Sequence, residues 1–168
     1  MKTIEDLFKK YFLNCFILML PILLWNILLS SQLPENYQPE VFSRGIPIAL
    51  MYVENISRFF LFVIACLMPL NFHTKEQKVG LYVYLSGLLL YFASWIIIIC
   101  FPKSDWSNSI IGFSAPAYTP IIWIAGIALI GDSFSFSIPY RPWIFITVSA
   151  VFLAAHISHA IMVFYTLN

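Results

Sequence analysis

The sequence predicts an all-α polytopic membrane protein built as a bundle of five transmembrane helices. Of its 168 residues 61% are hydrophobic and only 10% are charged. The apolar residues also fall into runs of spanning length, separated by short polar or proline-bearing stretches. A soluble domain carries about 25% charged residues. A water-soluble fold of this size could not hide so much apolar side chain, because folded domains keep a large share of their area exposed. The lipid bilayer is therefore the expected partner over most of the surface, and residues 1–168 are expected to form a single integral-membrane domain. A net charge of +1 leaves no basic face for nucleic acid. Cys15, Cys66 and Cys100 form no C-x-x-C pair, so they read as small apolar residues in helices rather than a redox dithiol.

A spanning helix needs roughly 20 apolar residues. The first segment, residues 12–31, is interrupted only by Asn14, Pro21 and Asn26. Before it, Ile4, Leu7, Phe8 and Tyr11 share a helical face that Lys9 and Lys10 avoid, as in a lead-in resting among lipid headgroups. Lys2, Lys9 and Lys10 ahead of an apolar run also suggest a signal peptide. The run from Phe12 to Leu29 exceeds a typical h-region, however, and no A-x-A-like site follows, so a retained helix is expected. Residues 32–45 hold Pro34, Glu35, Asn36, Pro39, Glu40 and Arg44, the composition of a loop.

The second segment, residues 46–70, reaches spanning length only by carrying Glu54, Asn55 and Arg58 into the bilayer. Central charged residues cost about 2.5–3.5 kcal/mol each, against about 0.3–0.6 kcal/mol returned by each good apolar residue. Insertion is then only modestly favourable, and the charges are expected to pair or to face other helices. The third segment, residues 79–101, stops at Pro102, and Lys75, Glu76 and Lys78 before it read as a cytoplasmic turn. The fourth, residues 113–131, opens with Pro116 and Pro120, which suit first helical turns or a bend. Its Gly126 and Gly131 do not make a G-x-x-x-G face. Residues 132–142 read as a loop and interfacial anchor, with Ser133, Phe134, Ser135, Phe136 and Ser137 alternating ahead of Tyr140 and Trp143, and Asp132 solvated. The fifth segment covers residues 143–166.

Lysine and arginine counts set orientation. With the N-terminus inside, Lys2, Lys9, Lys10, Lys75, Lys78 and Arg141 lie inside, against Arg44 and Lys103 outside. The expectation is a plasma (cytoplasmic) membrane protein with its N-terminus in and its C-terminus out.

Glu54 and Arg58 are spaced i,i+4 and His156 and His159 i,i+3, so each pair shares one helical face. At 1.5 Å per residue, Glu54 and Arg58 lie roughly 12 and 18 Å below the outer boundary, and His159 and His156 roughly 10 and 15 Å. Two ionisable pairs on separate helices thus fall at one depth, where Asn26, Tyr118 and Thr119 could complete a polar cavity. Intramembrane ionisable residues mark functional sites by default. The candidate substrate-binding residues are Glu54, Arg58, His156, His159, Asn55 and Tyr118. The leading expectation is binding, and in its stronger form transport, of a small or lipid-like molecule at an outward-facing cluster. Alternatives are a small membrane enzyme using His/Glu acid–base chemistry, and an accessory subunit of a larger membrane complex or homo-oligomer. A purely structural role, in which the cluster fastens two helices together, competes with all three. A zinc-type set of His156, His159 and Glu54 is disfavoured by Arg58 beside it. Two histidines three residues apart on one helix cannot ligate opposite faces of haem iron. No cofactor is expected.

Overall fold

The computed structural model describes residues 13–136 and 139–167. The lead-in from Ile4 to Tyr11, the lysines at 2, 9 and 10, and Ser137 lie outside the described residues. Among the described residues four helical stretches are long and apolar enough to cross a membrane: Cys15–Gln32, Ile48–Leu67, Lys75–Cys100 and Pro142–Leu167. The chain is compatible with an integral membrane protein, and no strand occurs among the described residues.

The first stretch begins with a 3-10 turn, Cys15–Met19, continues as α1 (Leu20–Leu29) and ends in a second 3-10 turn, Ser30–Gln32. Asn14 caps it by accepting the Phe16 N–H at 3.1 Å. The stretch expected to be a plain loop instead holds a 3-10 turn, Glu35–Tyr37, and a one-turn helix, α2 (Pro39–Phe42), with proline at its first helical position. Gly45 then adopts φ +74°, a conformation that favours glycine, and the chain turns into α3 (Ile48–Leu67).

The next helix, α4 (Lys75–Cys100), starts four residues before the expected boundary. The reason is a capping box: Thr74 accepts the Gln77 N–H at 3.2 Å, while the Gln77 side chain accepts the Thr74 N–H at 3.0 Å. Lys75, Glu76 and Lys78 are thus helical rather than a turn. Gln77 also donates to Asp132 at 2.7 Å, so that carboxylate has a protein partner instead of water alone.

The fourth apolar segment departs most from expectation. It is three short helices, α5 (Ile110–Phe113), α6 (Ala115–Tyr118) and α7 (Pro120–Ile130). Pro116 and Pro120 supply no N–H to the preceding turn, and their rings crowd its carbonyls, so the helix breaks at Ser114 and Thr119. The last helix, α8 (Pro142–Leu167), again opens on proline.

The helices pair as α3 with α8 and α4 with α7, and the 3-10 turn Cys15–Met19 touches a helix of each pair, α3 and α7. At one end, Cys15 donates its N–H to Met68 O at 2.8 Å, Leu70 N–H to Leu13 O at 2.9 Å, and Ser135 N–H to Leu67 O at 2.8 Å. The expected anchor 132–142 therefore folds back on α3, with Ser135 buried. Lys75, Lys78 and Arg141 flank this end, while Arg44 and Lys103 flank the other. Tyr84 ties α4 to the 3-10 turn ahead of α1 by donating to Leu18 O at 2.7 Å. Met19, Leu61, Met68, Ile127, Ile130 and Phe145 are fully buried between the pairs. Ile27, Leu28, Phe59, Tyr82, Leu89 and Trp143 are each more than half exposed on the outside.

α4 and α7 approach backbone to backbone. A Cβ at Gly126 would sit 2.4 Å from Tyr84 N, and one at Gly87 would sit 2.4 Å from Trp123 N. Small residues let helices close in lipid, where no hydrophobic effect drives them together. Gly126→Val should lower the thermal midpoint of detergent-purified protein by roughly 2–12 °C, from about 1–3 kcal/mol of overpacking. Ala93→Val, on the exposed side of α4, should leave it within error.

Candidate functional site

The cluster forms where α3 and α8 cross. Glu54 is 5% exposed and His159 7%. The Glu54 carboxyl group meets three partners. Arg58 Nη2 and His156 Nδ1 share Oε1, the latter at 3.0 Å, and His159 Nδ1 meets Oε2 at 2.6 Å. The i,i+4 and i,i+3 spacings put both pairs on the facing sides of their helices, so a single carboxylate reaches all three partners.

The second nitrogen of His159 is engaged as well, with Nε2 at 2.9 Å from the Phe42 carbonyl oxygen. Phe42 belongs to the cap, Glu35–Phe42, which lies over the cluster. The cap is fastened by Tyr37, whose hydroxyl donates to Phe113 O at 3.1 Å and whose ring stacks on Phe113 at 4.6 Å. Burial raises the Tyr37 phenol above its ordinary range, so it remains a donor at any physiological pH. The Phe42 ring lies 4.9 Å from the imidazole of His159.

Both nitrogens of His159 therefore face oxygen acceptors. One proton must sit on Nε2 and a second between Nδ1 and Oε2, because an imidazole nitrogen without a proton cannot bond to an oxygen that also lacks one. The pair is either carboxylate with imidazolium or carboxylic acid with neutral imidazole. The proton count is the same in both.

Arg58 and His156 leave the cluster sideways, their side chains 38% and 23% exposed. Arg58 lies over the Phe152 ring at 5.5 Å, and His156 stacks on the same ring at 5.3 Å. Both line two adjoining cavities. The inner one, about 370 Å³, is walled by Met19, Ile22, Leu23, Leu61, Phe62 and Phe152 among others. The outer one, about 360 Å³, lies under the cap against Tyr37, Phe42 and Phe113. Arg58, His156, Asn26 and Tyr91 line both and form a polar waist between them. Tyr91 donates to Asn26 Oδ1 at 2.6 Å, which orients the amide and leaves its NH2 to donate elsewhere.

Of the sequence candidates, Glu54, Arg58, His156 and His159 meet directly. Asn55 is exposed and touches only the margin of the cluster, its Oδ1 3.4 Å from Arg58 Nη1. Tyr118 lies apart, in a groove with Leu90, Ala93 and Ile97 on the far side of α4. Thr119 is buried and bonded within its own turn to Ala115 O at 2.8 Å. Sequence reasoning missed Tyr91 and the cap. Tyr84 and Tyr91 are seven apart on one face of an apolar helix, and that spacing of two polar-tipped rings was a readable sign. A backbone carbonyl such as that of Phe42 leaves no sign.

No family model matches the chain, and no curated protein and no solved structure matches it.

Glu54→Ala would leave Arg58 and His159 without their acceptor. Leaving a buried polar group such as His159 Nδ1 unpaired costs about 1–3 kcal/mol, so this variant should melt clearly below wild type. Glu54→Gln keeps an acceptor and a donor in the same place and should melt within a few degrees of wild type.

Proposed function

We propose that the chain is an integral membrane protein that binds and moves a small or lipid-like molecule at the Glu54–Arg58–His156–His159 cluster. In this reading it crosses a cytoplasmic-type membrane five times, with its N-terminus inside. The observation that carries the proposal is the polar waist. A titratable cluster stands at the junction of two cavities, each within the range of about 300–1,000 Å³ common for ligand sites.

Three further features support it. Segment Ile110–Ile130 joins the same two ends of the bundle as the long helices, and 21 helical residues would reach about 31 Å, enough for a hydrocarbon core. Its breaks at Ser114 and Thr119 are buried in protein, the condition for irregular backbone at membrane depth. Those breaks also border the cavities, since Pro116 and Ala117 line the outer one and Pro120 the inner one. Interrupted helices beside a midplane site are a recurring feature of transporters.

A fluorescent single-chain lipid in reconstituted vesicles tests the reading. Wild type should speed its transfer between leaflets over protein-free vesicles, and Glu54→Gln should abolish the gain while the melting temperature holds. Transfer no faster than in protein-free vesicles, together with no lipid retained by the purified protein, would overturn it.

One observation favours an enzyme instead. His156 is held through Nδ1 by a carboxylate, and Nε2 has no partner among the described residues, an arrangement suited to a general base. On that reading, a lipid extract incubated with wild type yields a new product by mass spectrometry, and His156→Gln yields none.

A further inference from the structure

We infer that the ligand of this site is an anionic amphiphile, with a carboxylate, phosphate or sulfate head at Arg58 and an apolar chain in the inner cavity. The inference rests on the binding reading above and narrows it to one chemical class.

The hydrogen bonds of His159 place one shared proton on the Glu54–His159 pair and a second on Nε2. Wherever the shared proton sits, that pair has no net charge. Arg58 is always protonated. The negative charge of Glu54 is thus already matched by His159, and the guanidinium remains as one uncancelled positive charge. Among the described residues its ion pairing stops at Glu54, and the cap carboxylates Glu35 and Glu40 are exposed. An uncancelled charge within a lipid-embedded bundle is expensive, and an anion beside it removes that cost.

The donors at the waist favour the same kind of ligand. Arg58 engages only Nη2 and, at 3.4 Å, Nη1, out of five N–H bonds. The Asn26 NH2 supplies two further N–H donors, oriented by the bond that Tyr91 makes to the amide oxygen. Among the described residues no carboxylate lines the waist beside them. A site rich in donors with one excess positive charge selects an anion over a neutral or cationic head.

The inner cavity runs from this waist along Met19, Ile22, Leu23, Leu61, Phe62 and Trp123, which suits a hydrocarbon chain. Trp123 gives the site its own reporter.

The test uses the full chain in phosphatidylcholine nanodiscs and three probes of equal chain length: ω-bromoundecyl sulfate, the matching alcohol and the matching trimethylammonium. Bromine quenches tryptophan, and the signal lost in Trp123→Phe isolates binding in the inner cavity. The sulfate should bind roughly tenfold or more tighter than the alcohol, the scale of a charge-assisted hydrogen bond. Arg58→Gln should erase that preference, Arg58→Lys should keep most of it, and inorganic sulfate in large excess should not displace the probe. Equal binding of the alcohol, or a preference that survives Arg58→Gln, overturns the anionic head while leaving a lipid-binding cavity. Displacement by inorganic sulfate overturns the chain and leaves a simple anion site. If no probe quenches wild type more than Trp123→Phe, the inference and the binding reading fail together.

Discussion

A carboxylate held in an apolar bundle persists only if its surroundings supply enough donors, and the arrangement of this molecule follows from how Glu54 meets that demand. One donor comes from its own helix, Arg58, and two come from α8, His156 and His159. Those bonds set the register of α3 against α8 and bring the cap down on His159 Nε2. They also turn Arg58 outward, toward the space that α1 and α4 enclose with Asn26 and Tyr91. Interhelical hydrogen bonds in membranes contribute only about 0.6–2 kcal/mol each. The value of such a cluster to the fold is therefore small against the cost of inserting its charges, and this imbalance is the physical ground for reading it as a site rather than a fastener.

The two helix pairs meet their partners by different means. α4 and α7 come together through missing side chains, with Gly87 and Gly126 removing the atoms that would otherwise hold the backbones apart. α3 and α8 come together through charged and aromatic side chains. The α4–α7 crossing is set by close backbone approach and the α3–α8 crossing by hydrogen bonds that depend on protons, with both cavities between the two pairs.

Much of this was legible beforehand. The spacing of Glu54 to Arg58 and of His156 to His159, with chain direction, was enough to put four side chains at one depth, because a helix has a fixed rise and period. The partnership of Tyr91 with Asn26 was not, since contacts between distant segments carry no period. The break in the fourth segment was signalled by Pro116 and Pro120, yet whether prolines start a helix or interrupt one depends on what surrounds them. Tyr118 was misplaced relative to the cluster for the same reason: once the prolines divide the segment into short helices, the direction of its side chain no longer follows from counting residues along one helix. The early start of α4 was written in Thr74 and Gln77, obscured by the charged residues between them.

The cap is held to His159 by a main-chain oxygen of Phe42. Every residue type carries that oxygen, so the latch itself asks little of the identity of position 42. It asks instead that the oxygen arrive at the right height, which depends on the number of residues between Gln32 and Ile48 and on the turn at Gly45. Related chains should consequently tolerate substitution at the exposed positions of this stretch, outside Tyr37, Phe42 and Gly45, while conserving its length, with insertions and deletions purged where those substitutions are tolerated.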